Sequence, residues 1–471
     1  MSVGSQPEVP EARPVIPVAS VAQTPPPAIG RRALGRAGVH VTIRGRSLKL
    51  RGLHHPPTGV LAALAILGPG LVAAAAGDDA GGVATYSQVG AKYGYDLLWV
   101  VLLITVSLAV VQEMCARLGA ATGRGLLDLI RERFGIGWAL LAVGVIVIAN
   151  GGVTITEFVG IGAAMELLGV SKYVAVPIAA VGLWYLVIAG SYSRVERLLL
   201  VLTLAFFAYP VAAILAHPDW SAVARGTFVP TLQPSSDYLI LLVGLIGTTI
   251  TPYMQLFQQS AVVEKGVGRD DYGPERADAY AGAAFGNLIS AFIIIATAAT
   301  LHTAGITDIQ TAQDAAQALR PLAGDAALVL FAVGLLGASL IAGGVLPLAT
   351  AYSVSEAFGF RKGVNLDFRR APIFIGLYTV LVVVGSLVAL VPGVPVIEVL
   401  VGVQVLNGIL LPIILVFILI LANDRRLTGA LRNGRVNQIL GWGTFALVTS
   451  AVVVLLGSQF LGIFGINILG S

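Results

Sequence analysis

Residues 73–88 read "AAAAGDDAGGVATYSQ". Two adjacent carboxylates, Asp78 and Asp79, stand inside a run of Ala, Gly and Val. A carboxylate within an apolar span is expensive, so it faces a cavity, a partner or a ligand. Gly77, Gly81 and Gly82 surround the pair, and glycine disfavours a continuous helix and lets backbone approach a ligand. The stretch predicts a membrane helix that is interrupted where it carries charge.

The composition agrees with a membrane span. The chain has 471 residues, of which 56% are hydrophobic and 11% charged; a soluble domain carries roughly 25% charged residues. Its mean hydropathy is +0.87 and its pI 9.2. The single cysteine, Cys115, excludes a disulfide framework and a cysteine-based metal cluster. The basic residues lie between apolar runs, which fits membrane topology better than nucleic-acid binding.

A span needs about 20 predominantly apolar residues. Eleven candidates follow: 59–89, 96–116, 136–168, 171–190, 195–216, 238–261, 278–301, 325–356, 371–391, 396–422 and 440–463. The third and eighth exceed one straight crossing and should tilt, kink or extend into water. With the N-terminus inside, all but Lys92, Lys172, Arg225 and Arg320 of the 29 Lys and Arg fall on the inner side. That bias supports the span count, a cytoplasmic N-terminus and an outer C-terminus. Residues 1–55 are Pro-rich and then basic, without helical period, and are expected to be a disordered cytoplasmic tail.

The sixth span, "LVGLIGTTITPYMQLFQQ" (242–259), holds Pro252, with Gly247, Thr248, Thr249 and Thr251 before it. Proline removes one helical hydrogen bond and frees a carbonyl a turn earlier. Two interrupted helices one five-helix unit apart point to an inverted-repeat transporter with its substrate at the breaks. The expected division is a first repeat over 56–218, a second over 219–423, and a final helix with the C-terminus over 424–471. Carboxylate, hydroxyl and carbonyl oxygens suit Mg²⁺, Ca²⁺ or Mn²⁺. Met254 is expected about a turn beyond the sixth-span break. The five histidines fall at or beyond span ends.

These residues resemble the Nramp family of divalent metal transporters, closest to its magnesium-transporting branch. The likeness rests on "GPGLVAAAAGDDAGGVATYSQVGAKYGYDLLWVVLL" (68–103), "RLGAATGRGLLDLIRERFG" (117–135) and "GTTITPYMQ" (247–255). It implies an all-α LeuT-type fold of eleven helices in a 5+5 inverted repeat, with helices 1 and 6 broken. By position, the family's metal-binding Asp falls on Asp79, its Asn on Gly82, its Met on Thr251 and its helix-10 Gln on Gln404. Thr248 belongs to the same break, and Asp78 is an extra acid without a family counterpart.

The departures carry the chemistry. A thioether helps to select Mn²⁺ and Fe²⁺, and a hydroxyl at Thr251 removes that soft contact. Glycine at position 82 removes a direct ligand and widens the site. A wide oxygen site suits Mg²⁺, which dehydrates reluctantly. The family's proton relay is also thinned. Tyr253 stands for a helix-6 His, Thr154 for a helix-3 acid, and the ninth span, "PIFIGLYTVLVVVGSLVALVP", has no ionisable residue but its tyrosine. Glu157 remains as a relay candidate, and Asn407 is expected to support Gln404 from one turn away.

The expected function is transport of Mg²⁺ and Mn²⁺, partly hydrated and without strong proton coupling. The alternative is a proton-coupled Mn²⁺/Fe²⁺ importer. A Na⁺-coupled amino-acid carrier conflicts with Asp79, which would repel a substrate carboxylate. No nucleotide loop, His-Glu-x-x-His or nucleophile elbow suggests an enzyme. The metal is substrate, no cofactor or nucleic acid is expected, and the protein is expected as a plasma-membrane monomer.

Overall fold

The computed structural model describes residues 38–43, 46–51, 79–188, 207–269, 272–361 and 369–464. Residues 1–66 and 67–471 form two separate units.

In the first unit, β1 (Gly38–Ile43) pairs antiparallel with β2 (Arg46–Arg51), in a register that places Val41 opposite Leu48. These two strands fall within the tail expected to be disordered over 1–55. The sequence reason is a period of two: Val39, Val41 and Ile43 alternate with polar residues, as do Leu48 and Leu50. The Pro-rich part of the tail lies outside the described residues.

The second unit is helical. Its first segments are α1 (Ala80–Tyr93), α2 (Leu98–Thr122), α3 (Leu126–Phe134), α4 (Ile136–Leu167), α5 (Lys172–Ile188), α6 (Ala208–Leu215) and α7 (Trp220–Phe228). Then come α8 (Ser236–Thr249), α9 (Pro252–Glu264) and α10 (Tyr272–Thr297), which ends in a π turn over Ala298–His302. The long closing helices are α11 (Ala327–Phe358), α12 (Pro372–Ala389), α13 (Val396–Asn423) and α14 (Arg435–Ile463). Among the described residues, eight stretches are long and apolar enough to cross a membrane, and Lys172–Ile188 is shorter. The first and fifth expected spans are described only in their C-terminal parts, α1 and α6.

The two spans expected to be overlong are so. Each of α4 and α11 has 32 residues, about 48 Å at 1.5 Å per residue, against a hydrocarbon core of about 30 Å. The eleventh expected span, α14, begins at Arg435 rather than 440, and Asn437 in its first turn donates to buried Glu113 of α2 at 3.0 Å.

Between apolar helices, packing and polar bonds replace the hydrophobic drive. Asn150 of α4 donates to Thr350 of α11 at 2.6 Å. Trp184 of α5 donates to Thr379 of α12 at 2.9 Å. Backbones approach most closely where glycines face each other. A Cβ at Gly247 of α8 would collide with the Gln404 carbonyl, and one at Gly408 of α13 with the Val243 carbonyl. This glycine contact locks α8 against α13 and fixes the height of the break beside Gln404.

Candidate functional site

Asp79 is the N-cap of α1. Its backbone is extended, with φ −69° and ψ 177°, and its Oδ1 accepts from the Gly82 amide at 2.7 Å. A carboxylate there satisfies an amide that no helical carbonyl reaches and meets the positive end of the helix dipole. The helix therefore starts at the acid, as the glycines around it suggest. Asp79 is 2% exposed. Asp78 lies outside the described residues.

Gln404 of α13 completes this corner. Its Nε2 donates to Asp79 Oδ1 at 3.2 Å, and its Oε1 accepts from Asn407 Nδ2 at 2.9 Å. Gly81 makes the approach possible, since a Cβ there would overlap the Gln404 amide. Asn407 takes the supporting place expected of it. The Gln404 backbone carbonyl meanwhile faces Gly247, so one residue touches both broken helices.

The sixth span breaks over two residues. Ile250 has φ −113° and ψ 57°, Thr251 is extended, and Pro252 is the first residue of α9. Proline at that position loses no helical bond, because the first amides of a helix have no partner. The carbonyls that end α8 lose their helical donors. Their negative dipole end, with the nearby carboxylate of Asp79, favours a cation. The Thr248 and Thr251 hydroxyls are buried and find no hydrogen-bond partner among the described residues. Thr249 instead pairs with Tyr86 of α1 at 3.2 Å.

A cavity of about 10 Å³ adjoins the break, bordered by Tyr86, Gln112, Thr248, Thr249, Met254 and Asn287 among others. That volume suits a single water. Met254 stands nearer than expected. It is in the first turn of α9, since the helix restarts at Pro252, and it borders this cavity while packing near Tyr253, Val153 and Ala342.

Glu157 of α4 is wholly buried. The Thr156 hydroxyl donates to its Oε1 at 3.3 Å. The Ala80 amide and the Ser339 hydroxyl lie beside the carboxyl. One turn on, a Cβ at Gly160 would fall 2.6 Å from the Ala80 Cβ, so α4 packs directly on the start of α1. Tyr253 is buried in an apolar cluster with Val153, Ala342 and Leu346.

The structure thus brings Asp79, Gly82, Gln404 and Asn407 into one bonded group, with the Thr248 to Thr251 break joined to it through Gln404 and Tyr86. Among the described residues, no group of three or more His, Cys, Asp or Glu is placed to hold a metal. The donor set here is one carboxylate with neutral oxygens. Tyr86 was missed by sequence reasoning, because an aromatic in a span carries no signal of a bond across 163 positions. Glu113 of α2 is tied down by three partners. Tyr272 donates to it, Asn437 donates to it, and Arg117 pairs with it at 3.3 Å.

Residues 70–458 match the family model described as natural resistance-associated macrophage protein-like, or Nramp. The divalent metal cation transporter MntH of Deinococcus radiodurans is 31% identical over 420 residues, spanning 86% of this chain and 91% of that protein. The solved manganese transporter of Eremococcus coleocola superposes with a TM-score of 0.68 at 20% identity, over 87% of this chain and 90% of its own. Mhp1, a nucleobase-cation-symport-1 family transporter, superposes at 0.50 with 13% identity, over 83% and 91%. The fold is of the LeuT type, as the two broken spans suggest.

Proposed function

Since the chain belongs to the Nramp family, we propose that it carries divalent cations across a membrane, with Mg²⁺ preferred and Mn²⁺ also accepted. The observation that carries this reading is the donor set around Gln404. Asp79 supplies one charge and the Thr248 and Thr251 hydroxyls neutral oxygens, while Gln404, which now holds Asp79 through its amide nitrogen, would offer its Oε1 once the amide turns. All four are buried. Hard oxygen donors suit Mg²⁺ and Mn²⁺. A small number of protein ligands leaves room for waters, which Mg²⁺ keeps. The cavity beside Thr248 has room for one water next to the break.

Transport proceeds without strong proton coupling. Thr154 donates its hydroxyl to the Asn150 carbonyl, as an ordinary helix residue does. Tyr253 is packed among apolar groups, and α12 carries no acid, histidine or base. The protein sits in the plasma membrane with its N-terminus in the cytoplasm and its C-terminus outside, and acts as a monomer.

A proton-coupled Mn²⁺/Fe²⁺ importer is the second reading. Met254 beside the cavity and Glu157 beside Ala80 favour it, as a soft donor and a titratable group. One assay separates the two. Liposomes holding the protein and a pH dye are given Mg²⁺, Mn²⁺ or Ca²⁺ under an imposed membrane potential. Divalent flux that follows the potential without acidification supports the first reading. Acidification in step with metal flux, or uphill metal movement driven by a pH gradient, supports the second.

A further inference from the structure

Beyond the Thr251 hydroxyl of the metal-site break, helix α9 carries two buried amides, Gln255 and Gln258, that the Asp79 site does not use. Thr251, Gln255 and Gln258 follow as a stripe at i, i+4 and i+7. At about 100° per residue they fall within an arc of roughly 60°. Their exposures are 1%, 0% and 0%. Among the described residues, Thr251 Oγ1, Gln255 Nε2 and both polar atoms of Gln258 find no hydrogen-bond partner. On α2, which packs against this helix, Gln112 Oε1 also has no partner among the described residues. Gln255 Oε1 meets Cys115 Sγ at 3.9 Å, a weak thiol contact.

Polar groups in membrane spans ordinarily bond to a neighbouring helix. Gln259 does so, donating to the Arg124 carbonyl at 2.8 Å. The stripe does not. A buried amide without a partner is costly, and each one needs a reason. The stripe starts at the metal-site break and runs along α9 away from it. Gln112, on the neighbouring α2, borders the water-sized cavity. Neutral amides can replace waters of a dication's shell, yet hold the ion weakly enough to let it leave.

We propose that Gln255 and Gln258 of α9, with Thr251 at its N-cap and Gln112 of α2, form a transit lane for a partly hydrated divalent cation leaving or reaching the Asp79 site. The lane rests on the reading that this site carries dications. Its amides pair with water and with the ion's hydration shell when α9 and α2 part.

The test uses the full chain with Gln255→Met and Gln258→Met, singly and together, which keep side-chain length and remove the amide. Mn²⁺ binding is measured by calorimetry, and Mn²⁺ and Mg²⁺ uptake in liposomes. The double variant should bind Mn²⁺ within about twofold of the unaltered protein, while its uptake slows at least about tenfold. Gln258→Asn should restore most of the rate. Unchanged uptake in a double variant that binds normally would overturn the lane. Asp79→Ala runs beside them: if it still binds and carries Mn²⁺, the underlying site reading fails instead. Should the Met variants not fold, Gln258→Cys in a Cys115→Ser background replaces them. An impermeant thiol reagent should label Cys at 258 from the side where α9 ends, more slowly at saturating Mn²⁺. Absence of labelling in that folded, transporting variant would contradict the lane.

Discussion

The Gln404 side-chain amide donates to Asp79 Oδ1 at 3.2 Å, joining residues 325 positions apart. The same Gln404 accepts from Asn407 with its other amide atom and faces Gly247 with its backbone carbonyl. Helices α1, α8 and α13 therefore meet at one residue, whose side chain holds the acid and whose backbone faces the sixth-span helix. A change in Gln404 reaches the acid and the break together.

Asp79→Asn should preserve the fold and abolish transport. Asparagine ranks with aspartate as an N-cap, so the thermal midpoint should move by less than about 4 °C. The charge that attracts a dication is gone, and Mn²⁺ affinity should fall at least about 100-fold, or 2.7 kcal/mol. Asp79→Ala should lose transport too, with a further cost of about 1 kcal/mol for the missing cap. Calorimetric titration of both variants, with a melting curve for each, checks this. Near-normal uptake by either would remove Asp79 from the site.

Gln404→Ala should weaken binding by about tenfold, equivalent to 1.4 kcal/mol. It removes a neutral donor and leaves Asp79 short of one bond. Asn407→Ala should cost less, since Asn407 acts by holding the Gln404 amide. The order of the two effects on KM for Mg²⁺ is the readout. A larger loss from Asn407→Ala would mean that Gln404 is not the ligand.

Thr251→Met together with Gly82→Asn should shift preference from Mg²⁺ toward Mn²⁺. The pair adds a soft donor and an amide oxygen beside Asp79. A tenfold change in the uptake ratio requires about 1.4 kcal/mol. Met254→Leu serves as comparison and should leave that ratio within about twofold, because Met254 packs against Val153 and Ala342 rather than belonging to the donor group. A ratio set by Met254 and not by position 251 would reverse the assignment.

Gly247→Ala and Gly408→Ala should each destabilise the protein by about 1–3 kcal/mol, the usual penalty for overpacking. Each would place a methyl where backbone of the opposing helix lies. Thermal melting in detergent reports the loss. Gly402, whose Cβ would meet no atom within 4 Å, provides a control that should tolerate alanine. Equal stability of all three variants would refute the close helix contact.

Much of this arrangement was legible in the sequence. Gly247 and Pro252 bracket the break found at Ile250 and Thr251. The glycines after Asp79 mark the start of α1, and the overlong spans appear as α4 and α11. Periodicity placed Asn407 one turn from Gln404. Contacts between distant segments were not legible, because spacing along one helix says nothing of what faces it. The Tyr86 to Thr249 pair and the hold of Tyr272 and Asn437 on Glu113 are of that kind. Gln255 and Gln258 look like ordinary interhelical glue until their missing partners are seen. The strand pair over 38–43 and 46–51 was obscured by its Pro-rich and basic neighbours, although its alternation is plain in isolation.

The most direct measurement is anomalous X-ray scattering from crystals soaked in Mn²⁺, repeated with excess Mg²⁺. A dication held by Asp79, Gln404 and the Thr248 to Thr251 break should give one strong peak between these residues, with the Asp79 carboxylate oxygen about 2.1 Å away, the octahedral Mg²⁺-like distance. Excess Mg²⁺ should remove that peak. A peak elsewhere in the protein, or one at Asp79 that Mg²⁺ leaves in place, would contradict the account.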